Sequence, residues 1–355
     1  MQRPLAMENR QPKIDTMKRE MNYNREDITM FCLKCILALF PVFILILYTA
    51  LFPFGYMDEE YPAWRYTKDS SEGKTGVPDR GSTLILGDSR AMADMVPLAM
   101  DETVYNLAAG GATSIEMYYV LRSLLKRDIV PENVIIMFAP FHYSYIDNYW
   151  TRSTYFHQLS FREAVSVYRE GKKEEAEFSD DGEHGLSELV STYLNFPDTY
   201  MPALLNSRFT ARISINEEAY GRLLSERGHG LFGTEEGSSD LNYEANYTEL
   251  KKDGDAILLC AYLEKLLKLC EKNGIRTVLV QAPMNEASYE KLSADYVGQF
   301  SELIDSFREI YPEAVMDPEI PCFPNALFGD ASHLNEEGAG RYTEVFMEKY
   351  GDYLF

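Results

Sequence analysis

A chain of 355 residues with 46% apolar content is long enough for one large domain or two ordinary ones with a well-buried core, which excludes a disordered chain. A formal charge of −22 excludes binding to a nucleic-acid backbone, because that footprint needs clustered lysine and arginine. Five cysteines at this length do not make a disulfide scaffold.

The first 34 residues depart from the acidic balance, with seven Lys or Arg against five Asp or Glu. From Ile28 to Phe54 only Lys34 is charged. At about 1.5 Å per residue this run spans roughly 39 Å, enough to cross a hydrocarbon core of about 30 Å. It reads as a transmembrane helix, residues 28–54, behind a cytoplasmic tail, residues 1–27. A secretory signal peptide shares the basic-then-apolar pattern. The apolar core here exceeds the usual length of about 7–15 residues, and Tyr48-Thr49-Ala50-Leu51 offers no small-x-small cleavage site. Basic residues precede the span more than they follow it closely, so everything after Phe54 is expected outside the cytoplasm. Tyr48, Tyr56, Tyr61 and Trp64 are candidates for an interfacial aromatic belt.

Residues 55–81, with Pro62, Gly73, Gly76, Pro78 and Gly81, read as a linker, and the domain is expected over 82–355. Leu84-Ile85-Leu86-Gly87 is a buried strand that breaks at a glycine and delivers Ser89 to the carboxyl edge of a sheet. Thr103 to Leu107 is a short second strand, followed by a capping box, Thr113-Ser114-Ile115-Glu116, and a helical stripe through Leu125. Asn133 to Ala139 is a third strand of the buried parallel kind, stopped by Pro140. An insert at about 141–254 is too long for a loop and needs structure of its own. Its first third is aromatic: Phe141, Tyr143, Tyr145, Tyr149, Trp150, Tyr155, Phe156 and Phe161. Those rings read either as a substrate lid or as the core of a helical subdomain.

Leu258 to Cys270 is an apolar helix closed by Asn273-Gly274. Cys260 and Cys270 lie about 15 Å apart along it, too far to bridge. Ile275 to Gln281 is strand four, Tyr289 to Ile310 a helix, Ala314 to Asp317 strand five, and Asn335 to Tyr350 the last helix. Strands alternating with helices predict an α/β fold with a doubly wound parallel sheet.

The chemistry gathers at two places. A serine hydroxyl needs a base to take its proton and a carboxylate to orient that base. Asp330-Ala331-Ser332-His333, just ahead of the last helix, supplies both. Gly-Asp-Ser after a first strand, with Asp-x-x-His before a last helix, resembles the SGNH/GDSL hydrolases. The resemblance implies a flavodoxin-like fold of serine esterases and acyltransferases, with catalytic Ser89, Asp330 and His333. It also implies an oxyanion hole made by the Ser89 N–H and a glycine after strand two, here Gly111. The family's third donor is an asparagine soon after strand three, where this chain reads Ala139-Pro140-Phe141-His142-Tyr143 and has no asparagine until Asn148. His142 is either a substitute donor or a loop histidine. Asp88 reads as structural, and Arg90 as a substrate contact or a salt-bridge partner. His157, His184 and His229 show no metal-ligand spacing, and no phosphate loop occurs, so no metal or cofactor is expected.

With its anchor, the chain is similar to the membrane-bound SGNH proteins of D-alanyl transfer and of alginate or peptidoglycan O-acetylation. That resemblance implies a cell-membrane, single-pass protein whose extracytoplasmic domain hydrolyses or transfers acyl esters on a cell-envelope glycan. A multispanning membrane-bound O-acyltransferase would be its partner. The alternative is a catalytically silent binding or assembly subunit of an envelope O-acylation complex, and a remoter one is a phospholipase-like activity.

Overall fold

In the computed structural model the described residues are 25–51, 58–146, 148–178, 184–194, 210–232 and 249–355. Two units separate, the chain through Leu51 and the chain from Phe52 onward.

The described part of the first unit is the helix Arg25–Leu51, interrupted by no charge after Lys34. Its Glu26–Ile44 stretch has mean hydropathy 2.0 and is long and apolar enough to be a membrane span or a signal sequence. The expected tail before residue 25, and Tyr56 of the expected belt, lie outside the described residues, as does the side chain of Tyr48.

The second unit is α/β. Five parallel strands, β1 (Thr83–Gly87), β2 (Val104–Asn106), β3 (Asn133–Phe138), β4 (Arg276–Gln281) and β6 (Val315–Met316), form a sheet in the order β2-β1-β3-β4-β6. Taken as five successive strands, this is the 2-1-3-4-5 order of doubly wound sheets whose direction reverses between the first and third strands. The apolar runs produce it. Leu84, Ile85 and Leu86 of β1 and Val134 to Met137 of β3 are fully buried, and each such side chain contributes about 1.5–3 kcal/mol relative to exposure. Gly87 ends β1 where a Cβ would fall 1.9 Å from the Met137 carbonyl oxygen, so only glycine lets β1 lie against β3 there. Asn133 closes the other end of β3, its Nδ2 donating to Thr83 Oγ1 at 2.8 Å and to the Leu354 carbonyl at 3.0 Å.

Helices flank the sheet. Ser114–Leu125 packs on Asp255–Asn273, while Glu336–Leu354 packs on the short helices Ser89–Asp94 and Pro97–Met100. The capping box forms as expected: Thr113 Oγ1 accepts the Ile115 N–H, and the Glu116 carboxylate accepts the Thr113 N–H at 2.7 Å. Gly274 closes the Asp255–Asn273 helix in the left-handed region at φ +66°. The helix expected from Tyr289 to Ile310 is instead two, Glu286–Tyr289 and Ala294–Ile310, because Ser293 Oγ accepts the Tyr296 N–H and starts the second one afresh. A second, two-stranded sheet, β5 (Met284–Asn285) with β7 (Cys322–Phe323), was not expected.

Two expectations are corrected. Residues 58–81 are not a free linker. Tyr61–Ser71 is a helix of the folded unit, with Trp64 1% exposed and Thr67 Oγ1 donating to the Ala108 carbonyl. Pro62 marks its first turn, where a missing N–H costs nothing, rather than an extended stalk. Trp64 and Tyr61 pack against Phe156 and so form no membrane belt.

The aromatic start of the insert divides between two cores: Tyr143 and Phe156, with Phe141 and Tyr155 against them, join the main one, and Tyr149 and Trp150 build a second. Tyr149, Trp150 and Phe178 pack with Leu159, Val167 and Tyr262, against the Asp255–Asn273 helix. Buried Asp255 ties that helix to the insert, its carboxylate accepting the N–H groups of Ile146 and Phe178. Of the aromatic run, Tyr145 and Phe161 are exposed. The described insert helices are Phe161–Lys173, Leu186–Tyr193 and Thr210–Ser225.

Candidate functional site

Ser89 is placed by the turn that ends β1. Asp88 is fully buried and caps the Ser89–Asp94 helix, one carboxylate oxygen accepting the Arg90 N–H at 3.0 Å. Its other oxygen accepts the Ala139 N–H at 2.7 Å and the His142 Nδ1–H at 2.6 Å, which fastens the turn to the end of β3. Burial pushes the Asp88 carboxyl up, but the His142 hydrogen bond and charge, with Arg90 and the Ala139 N–H, outweigh it and hold the carboxyl below its usual range.

His333 reaches Ser89 from the loop before the last helix. Its Nε2 lies 2.7 Å from Ser89 Oγ, and its Nδ1 lies 2.8 and 3.0 Å from the two Asp330 oxygens. Asp330 Oδ1 also accepts the N–H groups of Ser332 and His333 at 2.7 and 2.8 Å. Burial raises the Asp330 carboxyl, and the His333 hydrogen bond and charge more than reverse this, leaving it below the usual carboxylate range. The loop is tied on both sides: Gly329 N–H to the His333 carbonyl at 2.9 Å, Asn285 Nδ2 to the Ala331 carbonyl at 2.6 Å, and Leu334 N–H to Asp94 Oδ1 at 2.9 Å.

Asp94 is the last residue of the Ser89–Asp94 helix and is wholly buried, so it links the serine-bearing helix to the histidine-bearing loop. Its second oxygen, Oδ2, accepts no hydrogen bond. Burial pushes its carboxyl well above the usual range, and the charges of Asp88 and Asp330 add to this against the Leu334 N–H and Arg90.

Gly111 adopts a left-handed φ of +68° after β2, a conformation that favours glycine. Neither its N–H nor that of Ser89 donates to an acceptor among the described residues. A Cβ on Gly111 would fall 2.0 Å from Asn148 Nδ2, so the Asn148 amide lies directly against this turn. No asparagine stands immediately after strand three. The chain first passes through the Pro140–Tyr143 turn and brings Asn148 back, which sequence spacing alone does not reveal.

The insert returns to the same place at its far end. The Arg227 carbonyl accepts the Asn106 N–H on the open edge of β2, and Phe232 then stacks on the His333 ring, centroids 4.8 Å apart and planes at 26°. Phe232 also lies beside Gly110, as does Glu60, whose carboxylate is held by Arg152 through Nη2 at 2.6 Å and through Nε. Phe232, Glu60 and Arg152 were not singled out from the sequence, because each belongs to the site only through tertiary contact.

No family model, curated protein or solved structure matches this chain. The geometry therefore carries the functional argument by itself.

Two sequence-predicted residues are enclosed. Arg90 is 2% exposed, with its guanidinium over the Phe141 ring at 5.7 Å, and His142 is 4% exposed with Nδ1–H engaged by Asp88. Both pack against the turn that carries Ser89. Among the described residues no group of three or more His, Cys, Asp or Glu side chains could hold a metal ion.

Proposed function

We propose that this chain is a serine acyl hydrolase or acyltransferase of the SGNH type, forming an acyl-serine intermediate at Ser89. The observation that carries the reading is the relay of 2.7 Å from Ser89 Oγ to His333 Nε2 and 2.8 Å from His333 Nδ1 to Asp330. Its order along the chain, and the five-stranded parallel sheet that presents Ser89 at a strand's carboxyl end, agree with that family.

The steps follow from the groups present. Asp330 holds the Nδ1–H tautomer, so Nε2 is free to take the Ser89 proton as Oγ attacks the ester carbonyl. The carbonyl oxygen becomes an oxyanion between the N–H groups of Ser89 and Gly111, with Asn148 Nδ2 as a third donor. The Nε2 proton passes to the leaving alcohol as the tetrahedral species collapses to the acyl-serine. Water or an acceptor hydroxyl, deprotonated by the same Nε2, then attacks the acyl group and releases Ser89.

The Arg25–Leu51 helix supports a membrane anchor, with the folded unit outside the cytoplasm and ester groups of an envelope glycan as its substrate. Tethering raises the effective concentration of the enzyme at that surface. A multispanning O-acyltransferase is the partner that would supply acyl groups from within. The test is turnover of p-nitrophenyl acetate by the full-length protein in detergent, with and without added sugar hydroxyls. Turnover lost in both Ser89→Ala and His333→Ala, with acetyl sugar formed when sugar is present, supports transfer; the same loss with acetate as the sole product supports hydrolysis. Turnover that survives Ser89→Ala would exclude Ser89 as the nucleophile, and no turnover by the folded parent would favour an assembly subunit.

A further inference from the structure

A cavity of ≈ 560 Å³ lies among the Tyr61–Ser71 helix, the C-terminal end of Ser114–Leu125 and the start of Phe161–Lys173. Ser114–Leu125 begins three residues after Gly111, and its twelve residues put this end about 18 Å farther along the helix axis. The cavity is therefore separate from the Ser89 site. Its volume falls in the range of about 300–1,000 Å³ typical of small-molecule sites.

Its walls carry one more positive than negative side chain. Lys68, Lys126 and Arg127 line it, and none of the three makes an ion pair among the described residues. Two acids share the wall but are engaged elsewhere: Glu72 pairs with Lys74, and Glu163 pairs with Arg122 and closes the Ser160 cap. Lys68 is the most enclosed of the cations. Burial pushes its ammonium below the usual lysine range, although Glu72 and the other nearby acids pull it back up. Its Nζ donates to the His157 carbonyl, which leaves two N–H bonds for another acceptor. Nearby acids offset part of the cost of enclosing Lys68, and an anionic ligand in direct contact offsets more.

The rest of the wall suits a polyol ring. Gln158 Oε1 is shielded from solvent and accepts no hydrogen bond. Phe161 is 42% exposed and meets Tyr193 edge-on at 5.5 Å, while Tyr193 stacks on His157 at 4.6 Å. The hydroxyls of Ser71, Ser123 and Ser160 line the same space; each donates within the protein and can still accept. Aromatic faces cover the C–H side of a sugar, and hydroxyls with an amide oxygen match its O–H groups. Phe161, like Tyr145, is a member of the insert's aromatic run that neither core absorbs.

We propose that this cavity is a second ligand site that binds a sugar acid, its carboxylate on Lys68 and its ring against Phe161 and Tyr193. Occupancy does not depend on acyl chemistry at Ser89. The experiment is isothermal titration of the full-length protein in detergent with D-glucuronate, D-glucose, acetate and inorganic phosphate. Glucuronate should bind; glucose should bind at least about tenfold more weakly, the factor expected from losing one charge-assisted hydrogen bond, and acetate and phosphate, which keep the charge and lack the ring that meets Phe161 and Tyr193, should also bind more weakly than glucuronate. Lys68→Gln should weaken glucuronate by a similar factor, as should Phe161→Ala, whose exposed ring can be removed without loss of fold. Ser89→Ala should bind as the parent does, which separates this site from the Ser89 reading. Glucuronate that fails to bind, that binds no better than phosphate or acetate, or that binds Phe161→Ala as well as the parent would overturn the proposal.

Discussion

Replacing Asp94 by asparagine should stabilise the folded domain, and by an amount that grows as the pH rises. Asp94 is fully buried, with one oxygen on the Leu334 N–H at 2.9 Å and the other accepting nothing. Burial, with Asp88 and Asp330 adding to it, raises the folded carboxyl well above the value of about 3.9 it has in an unfolded chain. For an acid raised in this way the sign is unfavourable. Between the unfolded and folded pKa values the native chain holds a proton that the unfolded chain has released, so stability falls as pH rises through that window.

The slope is about 1.4 kcal/mol per pH unit for one group. Asparagine has the same shape, still accepts the Leu334 N–H and has no proton to lose. The difference in unfolding free energy between Asp94→Asn and the parent should therefore widen by about 1.4 kcal/mol for each unit above about pH 4, until the folded pKa is reached. Both tryptophans, Trp64 and Trp150, are buried in the folded unit, so urea unfolding followed by their fluorescence reads the right transition. Groups titrating equally in both proteins cancel. Stability curves that run parallel from pH 5 to 8 would refute the reasoning, and so would a variant less stable at every pH, which would mean that Leu334 is held by an ionised carboxylate.

Two further outcomes follow from the same contacts. Trp64→Ala should cost about 3–5 kcal/mol in the same denaturation experiment, because it empties a site that is 1% exposed; a cost near zero would restore the linker reading of residues 58–81. Asn148→Ala should lower kcat for ester turnover by about 10²–10³-fold with little change in KM, the signature of a donor used in the transition state. An unchanged kcat would remove Asn148 from the oxyanion hole.

What the sequence revealed and what it hid divide by the range of the interaction. The Ser89 turn was legible because its cause is local: an apolar run, a glycine where β3 passes at 1.9 Å from a would-be Cβ, and an aspartate positioned to cap the next helix. Asp330 and His333 were legible because three residues of spacing let one side chain hold the other. The five parallel strands follow from apolar runs separated by helical periods, whereas β5 and β7, two residues each, carry no periodic signal.

The Tyr61–Ser71 helix was missed because proline and glycine around it resemble linker composition, and its amphipathic face has meaning only against Ala108 and Phe156. Asn148, Phe232, Glu60 and Arg152 meet at Gly110 and Gly111 from two ends of an insert and from the segment before the sheet. No spacing rule joins positions so far apart in the chain. His142 and Arg90 were visible as polar residues near the serine, but their burial beneath the turn is a tertiary fact.

The central claim is that His333 activates Ser89, and the direct measurement is mass spectrometry of the full-length protein after treatment with a fluorophosphonate. The account predicts one adduct, on Ser89, absent in Ser89→Ala and strongly slowed in His333→Ala and Asp330→Asn. A folded protein that carries no adduct at Ser89, or that labels equally fast without the His333 imidazole, would contradict it.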